Sequence, residues 1–96
     1  MRVALAQLNT VVGDIEHNAA LIRDALGDAA RAGADVRLGP ERAVTGYPPE
    51  DLRLRPAFAA AARAAVDRLA PEVTHGVAIV GFPEWNADCH NAAAVL

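Results

Sequence analysis

One glutamate in this chain stands where a carboxylate could act on a substrate. Glu41 directly follows Pro40, at the end of the short apolar run Val36–Leu38, and the turn-rich stretch Thr45-Gly46-Tyr47-Pro48-Pro49 comes soon after. Proteins built on α/β sheets collect their chemistry where strands end and loops begin. A carboxylate there can take a proton from a nucleophile and hand it to a leaving group. Tyr47 either lines a pocket beside Glu41 or anchors the loop by packing. The neighbouring Glu50 and Asp51 suit the first turn after Pro49, where negative charge favours the helix dipole, better than they suit an acid–base pair.

The rest of the chain offers that carboxylate no obvious partner. All nine basic residues are arginines and there is no lysine. The single cysteine, Cys89, has Asp88 before it and only His90 as a nearby cation, which is not the electropositive setting a thiolate needs. It reads as a small, half-buried apolar residue rather than a nucleophile. His17, His75 and His90 are far apart and lack metal-ligand spacing, so no metal site is expected. Gly13 lacks the further glycines of a dinucleotide fingerprint, and Trp85 reads as a cover over the core.

Bulk properties set limits. A 96-residue chain amounts to one small domain or a piece of a larger one. Its hydrophobic share is 53%, but alanine supplies much of it and aromatic residues only 4%, so the core is expected to be thin. A net charge of −3, with arginines scattered singly, excludes a nucleic-acid footprint and a basic membrane patch. The apolar run near the N-terminus stops at Gln7, too soon for a signal-peptide core or a membrane span. One cysteine and no leader point to the cytoplasm.

The elements that must place Glu41 follow from periodicity. Val3–Leu8 reads as a buried strand. Asp14 caps a helix whose apolar stripe is Ile15, Ala19, Ile22, Leu26 and Ala29, ending at Ala32-Gly33 with Gly33 in the left-handed region. Val36–Leu38 is a second strand running into Pro40-Glu41. Pro56 starts a second helix, with Phe58, Ala62, Ala65 or Val66, and Leu69 inward, and Pro71 stops it. Val77–Phe82 is a strand bounded by Gly76 and Pro83. Trp85–Asp88 reads as a turn, and Asn91–Leu96 as a last strand still running where the chain stops. The pattern is an α/β order β-α-β-α-β-β, a parallel sheet with right-handed crossovers and then a strand pair. No linker or repeat divides it.

Residues along the whole chain resemble one superfamily. Val3-Ala4-Leu5-Ala6-Gln7-Leu8-Asn9, Val12-Gly13-Asp14 and Asn18 look like the opening of the nitrilase (carbon–nitrogen hydrolase) superfamily. Gly33-Ala34-Asp35, Pro40-Glu41 and Thr45-Gly46-Tyr47 resemble its first catalytic motif. Tyr47-Pro48-Pro49-Glu50-Asp51-Leu52, Arg55-Pro56 and Phe58 are similar to one branch, the glutaminase domains of glutamine-dependent NAD synthetases. Val80-Gly81-Phe82-Pro83 and His90 to Leu96 are similar to the strand pair that comes next.

The resemblance implies a nitrilase-like four-layer α-β-β-α sandwich of which 1–96 is a truncated part, an incomplete glutaminase domain with no second domain in this chain. It implies a Glu–Lys–Cys site with Glu41 as general base and Tyr47 as a substrate-pocket candidate. The nucleophilic cysteine and the catalytic lysine are absent from this chain, which is therefore expected to be inactive alone. The substrate class implied for the parent is glutamine, whose ammonia amidates deamido-NAD in a synthetase domain using ATP and magnesium. The chain itself is expected to hold no cofactor, and the parent to be a cytoplasmic homo-oligomer.

This chain departs from the pattern at Arg37 and Gly39, where apolar strand residues are usual, and at Arg42, where leucine is typical. A buried Arg37 carries a desolvation cost unless paired, Gly39 weakens the strand before Glu41, and Arg42 either pairs with a carboxylate or faces solvent. Three other readings use the same residues: an amidase of another nitrilase branch, a non-enzymatic truncated copy with an open sheet edge, and a small flavodoxin-like binding module. Helices on both faces of the sheet would favour the last.

Overall fold

A computed structural model describes residues 1–46, 55–86 and 88–96, with the side chains of 85, 86, 88 and 89 left aside. The Pro48–Leu52 motif, with Tyr47, Glu50 and Asp51, lies outside the described residues. Four strands and two helices alternate as expected: β1 (Val3–Leu5), α1 (Ile15–Arg31), β2 (Val36–Leu38), α2 (Pro56–Leu69), β3 (Val77–Asn86) and β4 (Asp88–Val95). The sheet order is β1-β2-β3-β4. The first three strands are parallel and β4 runs antiparallel to β3.

Local chemistry accounts for the helix ends. The Asp14 side chain accepts from the backbone N–H of His17 (3.1 Å), capping α1. At the other end Gly33 has φ +83°, and its N–H donates to the Ala30 carbonyl at 3.0 Å. Pro56 opens α2, and Pro71 sits in a 3-10 turn, Ala70–Glu72, that follows it.

The strand boundaries differ from expectation for reasons visible in the ladder. β1 stops at Leu5 instead of Leu8, because its partner β2 stops at Leu38, paired with Leu5. Gly39 and Pro40 end β2, and proline has no N–H to extend it. The third strand does not end at Pro83 but runs to Asn86. Ala78 and Leu96 exchange both backbone hydrogen bonds, so Pro83, an odd number of positions away and opposite Asn91, falls at a pair where no N–H is required. Its nitrogen faces the side that β2 has already left. The expected Trp85–Asp88 turn is correspondingly narrower: Asn86 pairs with Asp88, and β4 starts at Asp88 rather than Asn91.

Right-handed crossovers through β1-α1-β2 and β2-α2-β3, stepping one way across the sheet, put both helices on one face. The core is the contact between them: Ile15, Ile22 and Leu26 of α1, Ala62, Ala65, Val66 and Leu69 of α2, Ala78, Val80 and Phe82 of β3, with Ala43 and Val44. Alanine is the commonest residue on the buried side of α2, as composition required. On α1, Asn18 is buried where the apolar stripe predicted only Ala19, which is half-buried. On α2, Ala59 is buried and Phe58 half-buried.

The opposite face of the sheet is uncovered where Val3, Leu5, Leu38, Val77 and Val95 lie exposed in register. Among the described residues both helices therefore share one side, which is not the doubly wound arrangement of a flavodoxin-like module. No helix among the described residues is long and apolar enough to cross a membrane.

Candidate functional site

Glu41 begins the segment that leaves the C-terminal end of β2, and a chain of contacts from three elements holds that segment. Gly39 N–H donates to the Ile79 carbonyl at 3.1 Å, and Val44 N–H to the Gly81 carbonyl at 3.3 Å, so the segment is stitched along β3 where β2 has ended. Thr45 N–H donates to the Arg42 carbonyl at 3.2 Å, closing a tight turn over 42–45. Arg42 takes a φ of +49°, sparse for a residue with a Cβ.

Two glycines make the approach possible. A Cβ on Gly81 would sit 2.6 Å from the Arg42 nitrogen and 3.1 Å from the Pro40 carbonyl oxygen. Gly46, at φ +76°, faces the Val12 backbone at 2.8 Å. At both positions only a missing side chain lets backbone meet backbone.

Asn18 fixes the other side of the segment. It is fully buried; its Nδ2 donates to the carbonyls of Val11 (2.8 Å) and Val44 (3.1 Å), and its Oδ1 accepts from Val11 N–H (2.8 Å). One amide thus ties the 11–13 turn and the 41–46 segment to α1, and Gly13 N–H adds a bond to the Thr45 carbonyl at 2.9 Å. With three hydrogen bonds both the NH₂ and the oxygen of the Asn18 amide are satisfied, which lets a polar side chain sit in the core.

The Glu41 side chain is exposed and lines an open hollow of about 270 Å³ with Leu38, Ile79, Gly81, Asn91 and Ala93. Those wall residues belong to the uncovered face of the sheet. Asn91 Nδ2 donates to Glu41 Oε1 at 2.6 Å, and Asn91 Oδ1 accepts from Arg42 Nε at 3.3 Å. A much larger hollow, about 680 Å³, lies between α1 and α2 against Glu16, Arg23, Asp67, Arg68 and Glu72, on the far side from Glu41.

The three departures now have places. Gly39 is outside β2 and serves as a donor to β3. Arg42 is half-buried and bonded to Asn91. Arg37 is 3% exposed: Nη1 donates to the Leu26 carbonyl at 3.3 Å and Nη2 to the His75 carbonyl, while Nε has no partner among the described residues. It is a buried cation held by carbonyl dipoles without a described counter-ion.

Among the described residues, the other candidates are not brought to Glu41. Cys89 pairs with Trp85 across the β3–β4 hairpin. His75 lies at the exposed entrance to β3. Among the described residues there is no group of three or more His, Cys, Asp or Glu side chains able to hold a metal ion. Asn18 entered the sequence reading only through the family resemblance, Asn91 through it and as a strand start, and neither was given a role at the site. Asn18 left a trace, a polar residue three positions after Ile15 and four before Ile22, on the buried stripe. Asn91 left none, because its nearness to Glu41 depends on the hairpin register.

A helix layer on one β layer, with a carboxylate at a strand end on the bare side, is the half-sandwich of a nitrilase-type α-β-β-α fold. Residues 2–96 match the carbon–nitrogen hydrolase family, and the chain belongs to that family. It is 47% identical over 100 aligned positions to the glutamine-dependent NAD(+) synthetase of Xylella fastidiosa, an alignment covering all of this chain and 18% of that protein. Two solved structures superpose closely. The glutamine-dependent NAD(+) synthetase of Cytophaga hutchinsonii gives a TM-score of 0.95 at 29% identity, over 100% of this chain and 17% of that one. That of Acinetobacter baumannii, in complex with ADP, gives 0.88 at 35% identity, over 98% and 18%. The branch expected from the Pro48–Leu52 motif is the branch of these relatives. The chain spans under a fifth of the length of the curated relatives it matches.

Proposed function

We propose that residues 1–96 form part of a glutaminase domain that supplies ammonia for NAD synthesis, with Glu41 as its general base. The observation that carries this reading is the placement of Glu41 at the end of β2, open to a hollow on the bare sheet face, in a chain similar throughout its length to glutamine-dependent NAD synthetases. In this chemistry Glu41 takes the proton of a cysteine thiol. The thiolate bonds to the amide carbon of glutamine, the C–N bond breaks, and Glu41 returns the proton to the departing ammonia. Glu41 then takes a proton from the water that cleaves the thioester. A lysine beside the carbonyl oxygen offsets the developing negative charge.

The chain holds no lysine, and its one cysteine is on β4 paired with Trp85, so a second segment has to provide nucleophile and cation. The 96-residue chain alone is accordingly expected to release no ammonia from glutamine. Tyr47 is proposed as a substrate-pocket residue on the family resemblance alone. ATP and magnesium belong to the synthetase part of the whole protein, a role consistent with the ADP complex of the Acinetobacter relative. A cytoplasmic homo-oligomer fits this place in metabolism.

The test is a chimera in which this chain replaces the aligned region of the Xylella fastidiosa synthetase. Glutamine-supported NAD formation is expected, and Glu41→Gln is expected to lower it on the order of 10²–10⁴-fold while ammonia-supported formation stays unchanged. Glutamine-supported turnover that survives Glu41→Gln would sink the reading.

A further inference from the structure

We propose that Asn91 is a positioning residue for the Glu41 carboxylate and that Arg42 sets the direction in which the Asn91 amide faces. This rests on the reading of Glu41 as general base. Nothing else among the described residues restrains the Glu41 side chain, which is exposed and has three rotatable bonds. Among the described residues its hydrogen-bond donor is Asn91 Nδ2, at 2.6 Å from Oε1. Oε2 is left without a hydrogen-bond partner among the described residues. One oxygen is thereby anchored and the other is available to take a proton.

The donor–acceptor inventory fixes the amide. An arginine has donors only, so the atom of Asn91 that meets Arg42 Nε at 3.3 Å has to be the oxygen. The NH₂ group is then turned toward Glu41, where a carboxylate can only accept. The opposite flip would set donor against donor at Arg42 and oxygen against oxygen at Glu41. Arg42 thus works at a distance, through Asn91.

The backbone brings the three residues together, and the side-chain contacts then orient them. Asn91 stands on β4 opposite Pro83. Glu41 and Arg42 are pressed onto Gly81, on the neighbouring strand, with the Arg42 φ of +49° turning the chain there. The paired strands β3 and β4 therefore supply the reference point for a carboxylate carried on a loop.

Two experiments test this. In the 96-residue chain, the side-chain NH₂ resonances of Asn91 are expected to move as acid protonates a carboxylate, and to lose that movement in Glu41→Gln. Resonances that do not respond, or respond equally in Glu41→Gln, would overturn the contact. In the chimera, Asn91→Ala is expected to lower glutamine-supported kcat about tenfold with KM changed less than about twofold. The near-isosteric Asn91→Asp, which turns an oxygen on Glu41, should lower kcat further, and ammonia-supported turnover should be unaffected by either. Glutamine-supported kcat within twofold of the unsubstituted chimera in both variants would overturn the positioning role. So would an equal fall in ammonia-supported turnover, which is the mark of a merely structural residue. An unsubstituted chimera that makes no NAD from glutamine counts against the general-base reading instead, and the resonance experiment still decides the contact.

Discussion

Gly81 and Arg42 are in backbone contact: a methyl group on Gly81 would lie 2.6 Å from the Arg42 nitrogen, inside any permitted separation. The loop that carries Glu41 therefore rests on the bare backbone of β3. This relationship ties the position of the candidate base to one glycine on a different strand.

Gly81→Ala is expected to push residues 40–42 off the sheet and to cost about 1–3 kcal/mol, the usual range for overpacking. Gly39 provides the control. A Cβ there would meet nothing nearer than 3.9 Å, and its φ is not in the left-handed region. Gly39→Ala is expected to be neutral or to stabilise by up to about 1 kcal/mol through the unfolded chain. Chemical denaturation of both variants, with the amide resonances of Glu41 and Arg42 as local reporters, separates the two outcomes. Equal effects at both glycines would count against the contact.

Asn18→Ala should be among the most damaging single changes in α1. It strips hydrogen bonds from the Val11 N–H and the Val11 and Val44 carbonyls in one step. Buried groups left unsatisfied cost about 1–3 kcal/mol, and urea unfolding is expected to show a lower midpoint corresponding to that loss. Asn18→Asp should be no better, because it replaces the NH₂ that serves two carbonyls with a second acceptor. A midpoint unchanged by either substitution would show that the clamp does not hold the segment.

Arg37 makes the opposite prediction. It is buried against α1 and the start of β3 with carbonyl acceptors only, and its Nε is unsatisfied among the described residues. Arg37→Met or Arg37→Leu removes the desolvation penalty and is expected to raise stability by about 1–2 kcal/mol. Thermal unfolding measures it. A fall of similar size would mean that the two carbonyl contacts outweigh the cost of the buried charge.

Much of the architecture was legible because it is local. The Asp14 cap, the Gly33 terminus, the three-residue strand Val36–Leu38 and the Pro56 start are each written in a few adjacent residues, and the structure has them where periodicity put them. The boundaries that shifted belong to partner strands. Whether Pro83 ends β3 depends on its place in a ladder with β4, and whether β1 reaches Leu8 depends on how far β2 goes. Neither fact is contained in the segment itself. The candidate site divides the same way. Glu41 was marked by Pro40 and a strand end, whereas Asn91, fifty residues later, becomes its neighbour only through hairpin register. Arg42 was expected to pair with a carboxylate or to face solvent, and a bond to an amide on β4 was not foreseen. Its bond to Asn91 is a consequence of the turn over Gly81.

The uncovered side of the sheet has a consequence for the carboxylate that sits at its end. Leu38, Ile79 and Ala93 are at once part of that apolar surface and the wall of the hollow in front of Glu41. Any layer laid over Val3, Leu5, Leu38, Val77 and Val95 removes water from those side chains and, with the same contact, replaces solvent beside Glu41 with a low-dielectric wall in which charge–charge and hydrogen-bond forces are stronger. Core closure and electrostatic arming are then a single thermodynamic event. On the proposed reading of Glu41 as general base, a substitution on the bare face far from Glu41 is expected to weaken catalysis by loosening the layer that covers that face.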